Sequence, residues 1–194
     1  MAKGAARYER MVAPRKRTLF RGDLGDTIEI GAGAGPNLRY LEKLRSYRAV
    51  EPNPFMHPYL RAEMEARHVD GTPLSMPAEA ALAEIPEGSV DTVISTLVLC
   101  SVDDPSALVA RIVRVLRPGG RLLLLEHVRA HPGSALGVCQ HCLVPVFRFL
   151  GDGCRPNRNT RLTIESGGFR EVRLDEFELP LGPISPHLCG WALK

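Results

Sequence analysis

The sequence predicts an α/β protein built on a doubly wound, mostly parallel sheet of seven strands, with an antiparallel hairpin at the C-terminal end. Three observations support this prediction. Within residues 27–44 a short apolar strand enters a glycine-rich loop and then a helical pattern, as at the start of a parallel α/β sheet. Two further apolar strands, at 89–95 and 121–128, flank an amphipathic helix. Residues 168–194 contain two strand patterns around a glycine-proline turn.

Length and composition restrict the classes of protein to consider. A chain of 194 residues fits one domain with its own core, so we expect residues 1–194 to fold as a single unit. The net charge of +3 is too small to indicate a nucleic-acid partner, and no apolar run approaches the length of a membrane span. The N-terminus lacks the apolar segment of a secretory signal, so we expect a cytoplasmic protein, either monomer or homodimer.

The five cysteines are predicted to be free thiols. An odd count without an export signal argues against a disulfide framework. Cys139 and Cys142 have the spacing of a metal-binding pair, but a zinc site needs about four ligands and no second such pair follows. The sequence therefore predicts no metal site, and we interpret these two residues as thiols on a helix beside a pocket.

Residues 1–20 are predicted to form a helix that acts as a lid over a ligand. The helix carries a basic cluster at 15–17, for which a solvated face is the common outcome, and closure over a ligand or attraction to an anionic surface is the alternative. The residues expected to make its apolar contacts are Tyr8, Met11, Val12, Leu19 and Phe20.

The stretch TIEIGAGAGPN at 27–37 is the strongest single signal in the chain. Its strand carries the acid Glu29, and glycines then follow at Gly31, Gly33 and Gly35. Glycines allow a tight turn and a close approach of a ligand to the backbone, and the following helix N-terminus offers unpaired N–H groups. That helix is predicted from apolar residues at Leu38, Leu41 and Leu44.

The second strand is predicted at 48–51 and ends in Glu51, which lies 20 positions after Gly31. An acid at about this distance typically accepts hydrogen bonds from the ribose hydroxyls of an adenosine. Asn53 and Pro54 fit the cap and first position of a helix. Its side chains expected to face the sheet are Phe55, Tyr59 and Met64.

A short third strand is predicted at 74–76, and a buried fourth strand at 89–95. Because ligands bind at the carboxyl ends of parallel strands, Ser95, Thr96 and Leu97 are expected to lie beside a ligand. Asp104 is predicted to cap a helix that runs to 116, and the turn at 117–120 leads into the strand at 121–128.

The remaining chain contains an insertion and the final hairpin. Residues 131–160 fall between two strands and are a candidate substrate cap, with a merely structural helical hairpin as the alternative. Strands at 171–174 and 187–193 are predicted to pair around the turn at 181–183.

These motifs together resemble the class I S-adenosylmethionine-dependent methyltransferases, and within them the methyltransferase type 11 and alkyl-thiol methyltransferase-like subgroup. The resemblance covers about residues 8–194. Its motifs are EIGAGAGPN, EPNP, GSVDTVISTLVLCSV, LRPGG, LEHV, the GDGC run at 151–160 and the closing PHLCGWALK. The membrane-bound members carry an apolar N-terminal anchor that this sequence lacks, so membrane attachment is not implied.

The resemblance implies a Rossmann-like fold that binds S-adenosyl-L-methionine and releases S-adenosyl-L-homocysteine. The sequence departs from the family pattern at Pro77, where the family often has an aspartate, although the backbone N–H of Ala78 could still bind the adenine. The implied cofactor-binding residues are Tyr8, Glu29, Gly31, Gly33, Gly35, Glu51, Pro52, Ala78, Glu79, Ser95, Thr96 and Leu97.

The predicted reaction is direct displacement of the cofactor's methyl group by a small-molecule acceptor, most plausibly a thiol. Proximity and exclusion of water supply the catalysis, and a thiol needs no strong base because it is partly ionised near neutral pH. No catalytic residue is assigned; the candidates for orienting or deprotonating the acceptor are His127, Asp103 and His187, with His141 as a further histidine.

Three alternatives stay open at this stage. The acceptor could be an oxygen or nitrogen nucleophile of another small molecule. The chain could be a non-catalytic adenosylmethionine-binding module, because Pro77 replaces the expected aspartate and no base is obvious. It could also be a nicotinamide-dependent oxidoreductase, since Glu51 fits either cofactor, but Pro36 stands where the dinucleotide fingerprint has its third glycine.

Overall fold

The computed structural model describes residues 2–194, and side-chain burial from residue 4 onward. Within this range the strands form one six-stranded sheet in the order β2-β1-β3-β4-β6-β5. The strands are β1 (Asp23–Ile30), β2 (Lys43–Val50), β3 (Val90–Thr96), β4 (Leu116–His127), β5 (Glu171–Glu178) and β6 (Pro186–Leu193). Strands β1 to β4 pair in parallel, whereas β6 pairs antiparallel with both β4 and β5. The predicted α/β sheet with a C-terminal antiparallel hairpin is confirmed.

The prediction of seven strands was wrong by one, because residues 74–76 do not form a strand. Leu74 makes a single parallel bridge to Val50, with its backbone N–H bonded to Ala49 and its carbonyl to Glu51. Pro73 and Pro77 flank this residue. Since proline has no backbone N–H to donate, the pairing does not extend in either direction.

The helices lie before and between the strands. They are α1 (Ala2–Leu19), α2 (His57–Ala66), α3 (Ala78–Glu84), α4 (Pro105–Val115), α5 (Ala135–Leu150) and α6 (Thr160–Glu165). As predicted, Asp104 caps α4, since its side chain accepts hydrogen bonds from the N–H groups of Ser106 and Ala107 at 2.9 and 3.0 Å.

Two local predictions on the first half of the chain were wrong. The helix expected from Leu38 to Leu44 is only a short 3-10 turn at Leu38–Tyr40, and β2 already begins at Lys43 rather than at 48. The turn and strand bury Leu38 and Leu41 and half-bury Leu44. A helix would bury leucines at this spacing too, so their period could not distinguish a helix from a turn followed by a strand. Phe55 and Tyr59 do not face the sheet, because 80% and 66% of their surfaces are exposed; Met64 is buried as expected.

The core confirms that helices cover both faces of the sheet. Side chains alternate along each strand, so that Val93, Leu122 and Leu124 belong to one buried cluster with α3 and α4. Ile94 and Leu123 belong to the opposite cluster with Phe20 and α2. This double layer holds the carboxyl ends of β1, β3 and β4 side by side at one edge, which is where a ligand binds in such sheets. Within residues 2–194, no helix combines the length and the apolar character that crossing a membrane requires.

Candidate active site

A cleft of about 1210 Å³ opens at the carboxyl ends of β1 and β3, between the glycine loop and α1. Two other cavities of this protein are much smaller, at about 200 and 330 Å³. Of the residues predicted to bind a cofactor, those that line it are Tyr8, Glu29, Gly31, Gly33, Thr96 and Leu97. The cleft is thus formed jointly by the predicted strand ends and the predicted N-terminal helix.

The glycine loop leaves the floor of the cleft open. Gly31 and Gly33 both have left-handed backbones, with φ of 61° and 56°, which strain any residue that carries a Cβ. A Cβ at Gly31 would collide with Val98, whereas a Cβ at Gly33 would meet no atom within 4 Å. The space above Gly33 is therefore free for a ligand to approach the backbone closely.

Glu51 lies behind this loop and is tied to it. One carboxylate oxygen accepts a hydrogen bond from the backbone N–H of Gly33 at 2.8 Å, and the other accepts from the backbone N–H of Asn53 at 2.8 Å. Only 7% of Glu51 is exposed. A carboxylate has about four acceptor positions, so each oxygen can still accept a further hydrogen bond.

Glu29 is the most deeply buried acid facing the cleft. Its carboxylate accepts hydrogen bonds from the amide of Asn37 at 2.7 Å and the hydroxyl of Tyr47 at 2.5 Å. Burial raises the pKa of Glu29 to about 7, although these two hydrogen bonds and the nearby Lys16 oppose the shift. The Asn37 amide also donates to Thr96 at 3.0 Å, while its oxygen is buried without a partner among residues 4–194.

The wall opposite the loop is α1, which carries a largely buried ion pair between two of its own residues, Lys16 and Glu9. Lys16 is only 1% exposed and its ammonium contacts Glu9 at 2.7 Å. Glu9 in turn accepts a hydrogen bond from the hydroxyl of Tyr40 at 2.8 Å. The expectation of a solvated basic cluster was therefore wrong for Lys16, because the helix turns this side chain inward. It holds for Arg15 and Arg17, which are exposed.

Beside the cleft lies a group of buried polar atoms that we call the acceptor-side cluster. Its members are the Tyr8 hydroxyl, Glu126 Oε2, His127 Nδ1 and His187 Nε2, none of which has a hydrogen-bond partner within the described part of the chain. The ring centroids of Tyr8 and His187 are 5.7 Å apart, and those of His127 and His187 are 6.3 Å apart. Buried polar atoms are normally paired, so this cluster is poised to meet a bound polar group.

Electrostatics of the acceptor-side cluster follow from its burial. Burial lowers the pKa of His187 to about 4, so this imidazole is neutral at pH 7. Its Nδ1 lies 3.0 Å from the carbonyl of Ser185; since a carbonyl only accepts, Nδ1 carries the proton and Nε2 is left as an acceptor. Burial also raises the pKa of Tyr8 and of Glu126, the latter despite hydrogen bonds from Ser95 at 2.7 Å and the backbone of Val98 at 3.1 Å.

The structure brings together two of the catalytic candidates and separates the others. His127 and His187 are cross-strand partners on β4 and β6. Asp103 is on an exposed loop with its side chain 99% accessible, and pairs with Arg155 at 3.1 Å. His141 is exposed on α5.

Sequence reasoning missed Asn37, Lys16 and Glu126. Glu126 directly precedes His127 at the end of an apolar strand, and an acid in that place was a signal that could have been read. The predicted residues that lie away from the cleft lining are Gly35, Glu51, Pro52, Ala78, Glu79 and Ser95. Of these, Ser95 supports Glu126 and Ala78 begins α3.

Comparison with known proteins agrees with this geometry. The family described as "Methyltransferase domain" matches residues 28–124. The chain is 34% identical to thiol S-methyltransferase TMT1B of Rattus norvegicus over 205 aligned positions, covering 100% of this chain and 84% of that protein. It is 31% identical to thiol S-methyltransferase TMT1A of Homo sapiens, covering 96% of this chain and 81% of that protein.

Solved structures show the same fold. A SAM-dependent methyltransferase from Thermotoga maritima superposes with a TM-score of 0.65 at 21% identity, covering 99% of this chain and 97% of that one. A SAM-dependent methyltransferase from Archaeoglobus fulgidus superposes with a TM-score of 0.66 at 14% identity, covering 96% and 93% of the two chains.

Proposed function

Because this chain belongs to the methyltransferase family that includes the thiol S-methyltransferases, we propose that it transfers the methyl group of S-adenosylmethionine to the sulfur of a small thiol. The observation that carries the proposal is the junction of the cleft with the acceptor-side cluster. Tyr8 belongs to both, so a donor in the cleft and an acceptor beside it would meet at this residue.

The cleft fits the cofactor in size and in chemistry. Its volume of about 1210 Å³ exceeds what a nucleoside-sized ligand needs. The unpartnered Asn37 oxygen and the Glu29 carboxylate suit the ammonium of the cofactor's amino-acid end. Glu51 lies behind the glycine loop, where its remaining acceptor positions would bind the ribose hydroxyls.

Helix α1 acts in this proposal as the lid predicted from the sequence. It contacts the turn after the glycine loop through Glu9, which accepts a hydrogen bond from the Tyr40 hydroxyl. It contacts the hairpin through Arg15, whose guanidinium lies 3.7 Å from the ring centre of Phe177. A helix held over the cleft at Glu9 and Arg15 would exclude water from the reacting groups. Residues 131–160 are proposed as the substrate cap, since α5 is anchored by the buried Gln140, whose amide donates to the carbonyl of Pro183 at 2.8 Å.

The chemistry supplied by the bound cofactor is an electrophilic methyl group on a sulfonium. An acceptor thiolate would take this methyl group as the bond to the sulfonium sulfur breaks, so that a thioether and S-adenosylhomocysteine would be the products. Both charges disappear together, so a dry site favours the reaction. The protein would align the two sulfurs, and Nε2 of the neutral His187 would accept a hydrogen bond from the thiol, which loses its proton to solvent before it reacts.

Methyl transfer from labelled S-adenosylmethionine to matched thiols, phenols and amines tests this proposal. We expect turnover with thiols, and a product whose label is on sulfur by mass spectrometry. Transfer to phenols or amines alone would contradict the assignment of a thiol acceptor. Binding of S-adenosylhomocysteine without turnover on any acceptor would contradict the assignment of methyltransferase activity.

We further propose that the acceptor is a free small molecule and not a nucleic acid. We also propose that the protein is a monomer or homodimer in the cytoplasm. The modest charge of +3 supports a small-molecule acceptor over a polyanion. Light scattering after gel filtration would give the oligomeric state, and fractionation of cells would give the location. Recovery in the membrane fraction would contradict the cytoplasmic assignment.

A further inference from the structure

Three side chains of metal-ligand type meet near the carboxyl ends of β3 and β4: Cys100, His127 and Cys154. All three are buried, with 2%, 4% and 8% of their surfaces exposed. Their ligand atoms all lie within 4.8 Å of one another, and Cys154 Sγ is 3.2 Å from His127 Nε2. This is the only group of at least three potential ligands found within the described residues.

The fold builds this group from three separate elements. Cys100 follows the end of β3, His127 is the last residue of β4, and Cys154 lies in the turn after α5. The turn is fixed to the first element because the backbone N–H of Arg155 donates to the carbonyl of Cys100 at 2.9 Å. The ligands are thus held by strand ends and backbone hydrogen bonds, which is how a preformed site is kept in place.

We propose that Cys100, His127 and Cys154 form a binding site for one Zn²⁺ ion. Two thiolates and an imidazole are the soft ligands that zinc prefers, and a three-ligand set of this composition leaves a fourth position open. The two thiolate charges balance the charge of the ion, so the buried site is neutral overall. The open position would take water or an external thiolate.

Other uses of this group fit less well. Calcium and magnesium need oxygen ligands, whereas the ligand atoms of this group are two sulfurs and one nitrogen. Cys139 and Cys142, the pair with metal-like spacing in the sequence, are both exposed on α5. They are therefore suitable controls, because they offer two thiols outside the buried group.

The first experiment measures metal binding by the full chain, prepared under reducing conditions and stripped of metal. Separate samples are titrated with Zn²⁺ and with Co²⁺. We expect one ion per chain, and a cobalt spectrum with thiolate charge-transfer absorption and the bands of a tetrahedral site. The variants Cys154→Ser and His127→Gln should lose this binding, whereas the double variant Cys139→Ser with Cys142→Ser should bind as the wild type does.

Circular dichroism identifies any variant that fails to fold. In that case the cobalt spectrum of the wild type decides, since it reports directly whether thiolates coordinate the ion. A spectrum without thiolate absorption, or loss of binding in the Cys139 and Cys142 variant alone, would overturn the proposal. So would a disulfide between Cys100 and Cys154 in the reduced preparation, detected by mass spectrometry. These readouts do not depend on methyl transfer, so the site can fail while the proposed function stands.

Discussion

The carboxylate of Glu51 accepts a hydrogen bond from the backbone N–H of Gly33 at 2.8 Å. The residue predicted to hold a ribose therefore also fixes the glycine loop beneath it. Its second oxygen fixes the start of the next segment through the N–H of Asn53. This arrangement orients the acid before any ligand binds, which reduces the entropy lost on binding.

Replacing Glu51 is expected to weaken cofactor binding. The variant Glu51→Ala removes the proposed ribose acceptor and frees the loop. Since hydrogen bonds to charged groups contribute about 1.5–3 kcal/mol, the Kd for S-adenosylhomocysteine should rise roughly 10- to 100-fold. Isothermal titration calorimetry measures this, with Glu65→Gln on the exposed side of α2 as the control. An unchanged Kd for Glu51→Ala would contradict the assignment of the nucleoside to this strand end.

Alanine substitutions at two glycines of the loop should have different effects, one mainly on folding stability and the other mainly on cofactor binding. Alanine at Gly31 would collide with Val98, whereas alanine at Gly33 would extend into the open cleft. Both variants place a residue with a Cβ in a left-handed backbone, which costs about 1–2 kcal/mol. We expect Gly31→Ala to lower the free energy of unfolding by more than this shared cost, because of the added collision. Gly33→Ala should instead mainly raise the Kd for S-adenosylhomocysteine. Urea unfolding and calorimetry on both variants test this, and equal unfolding free energies for the two would count against the predicted loop geometry.

Glu29 should make stability depend on pH. Its pKa is raised from 4.5 to about 7 in the folded protein, so the unfolded chain gives up this proton first as the pH rises. Wild-type stability therefore falls between pH 4.5 and pH 7 relative to the variant Glu29→Gln, which cannot ionise. From pH 5 to pH 8 the difference between variant and wild type should shift by about 2–3 kcal/mol in favour of the variant.

Urea unfolding at pH 5, 6, 7 and 8 would measure the effect of Glu29. The exposed Glu65→Gln variant is the control and should give a difference that does not change with pH. A flat difference for Glu29→Gln as well would mean that this carboxyl group ionises normally.

Lys16 should hold Glu9 in place within α1, and Glu9 links this helix to Tyr40 in the turn after the glycine loop. The variant Lys16→Met leaves Glu9 without its cation in a site that exposes only 15% of its side chain, and breaking a buried pair of this kind costs about 3 kcal/mol. We expect faster amide hydrogen exchange across α1 with little change in β3. Arg17→Met, one residue along and exposed, is the control and should stay within about 0.5 kcal/mol of wild type. Equal exchange in both variants would show that the ion pair does not hold the helix.

Much of this protein could be predicted from short stretches of sequence. The strand ending in Ile30, the glycine loop and the acid at Glu51 lie within 27–51, and their spacing depends on local backbone geometry. The helix cap at Asp104 is equally local, because its partners are two and three residues away. Residues 74–76 resisted prediction because proline on both sides limits pairing that an apolar pattern alone would allow.

The acceptor-side cluster and the zinc-ligand group were beyond such reasoning. His127 and His187 face each other only because β4 and β6 pair antiparallel, and Cys100 and Cys154 meet across 54 positions of chain. Contacts of this kind leave no periodic signal in the sequence.

The sequence by itself determined the α/β class, the glycine loop and the acids at Glu29 and Glu51, since these depend on backbone freedom and on spacing along one strand-loop unit. Only the tertiary structure decided that Lys16 turns inward, that α1 lines the cleft and that Cys100, His127 and Cys154 converge. The physical reason is that burial and partner choice are set by segments far apart in the chain, whose meeting depends on the order of strands in the whole sheet.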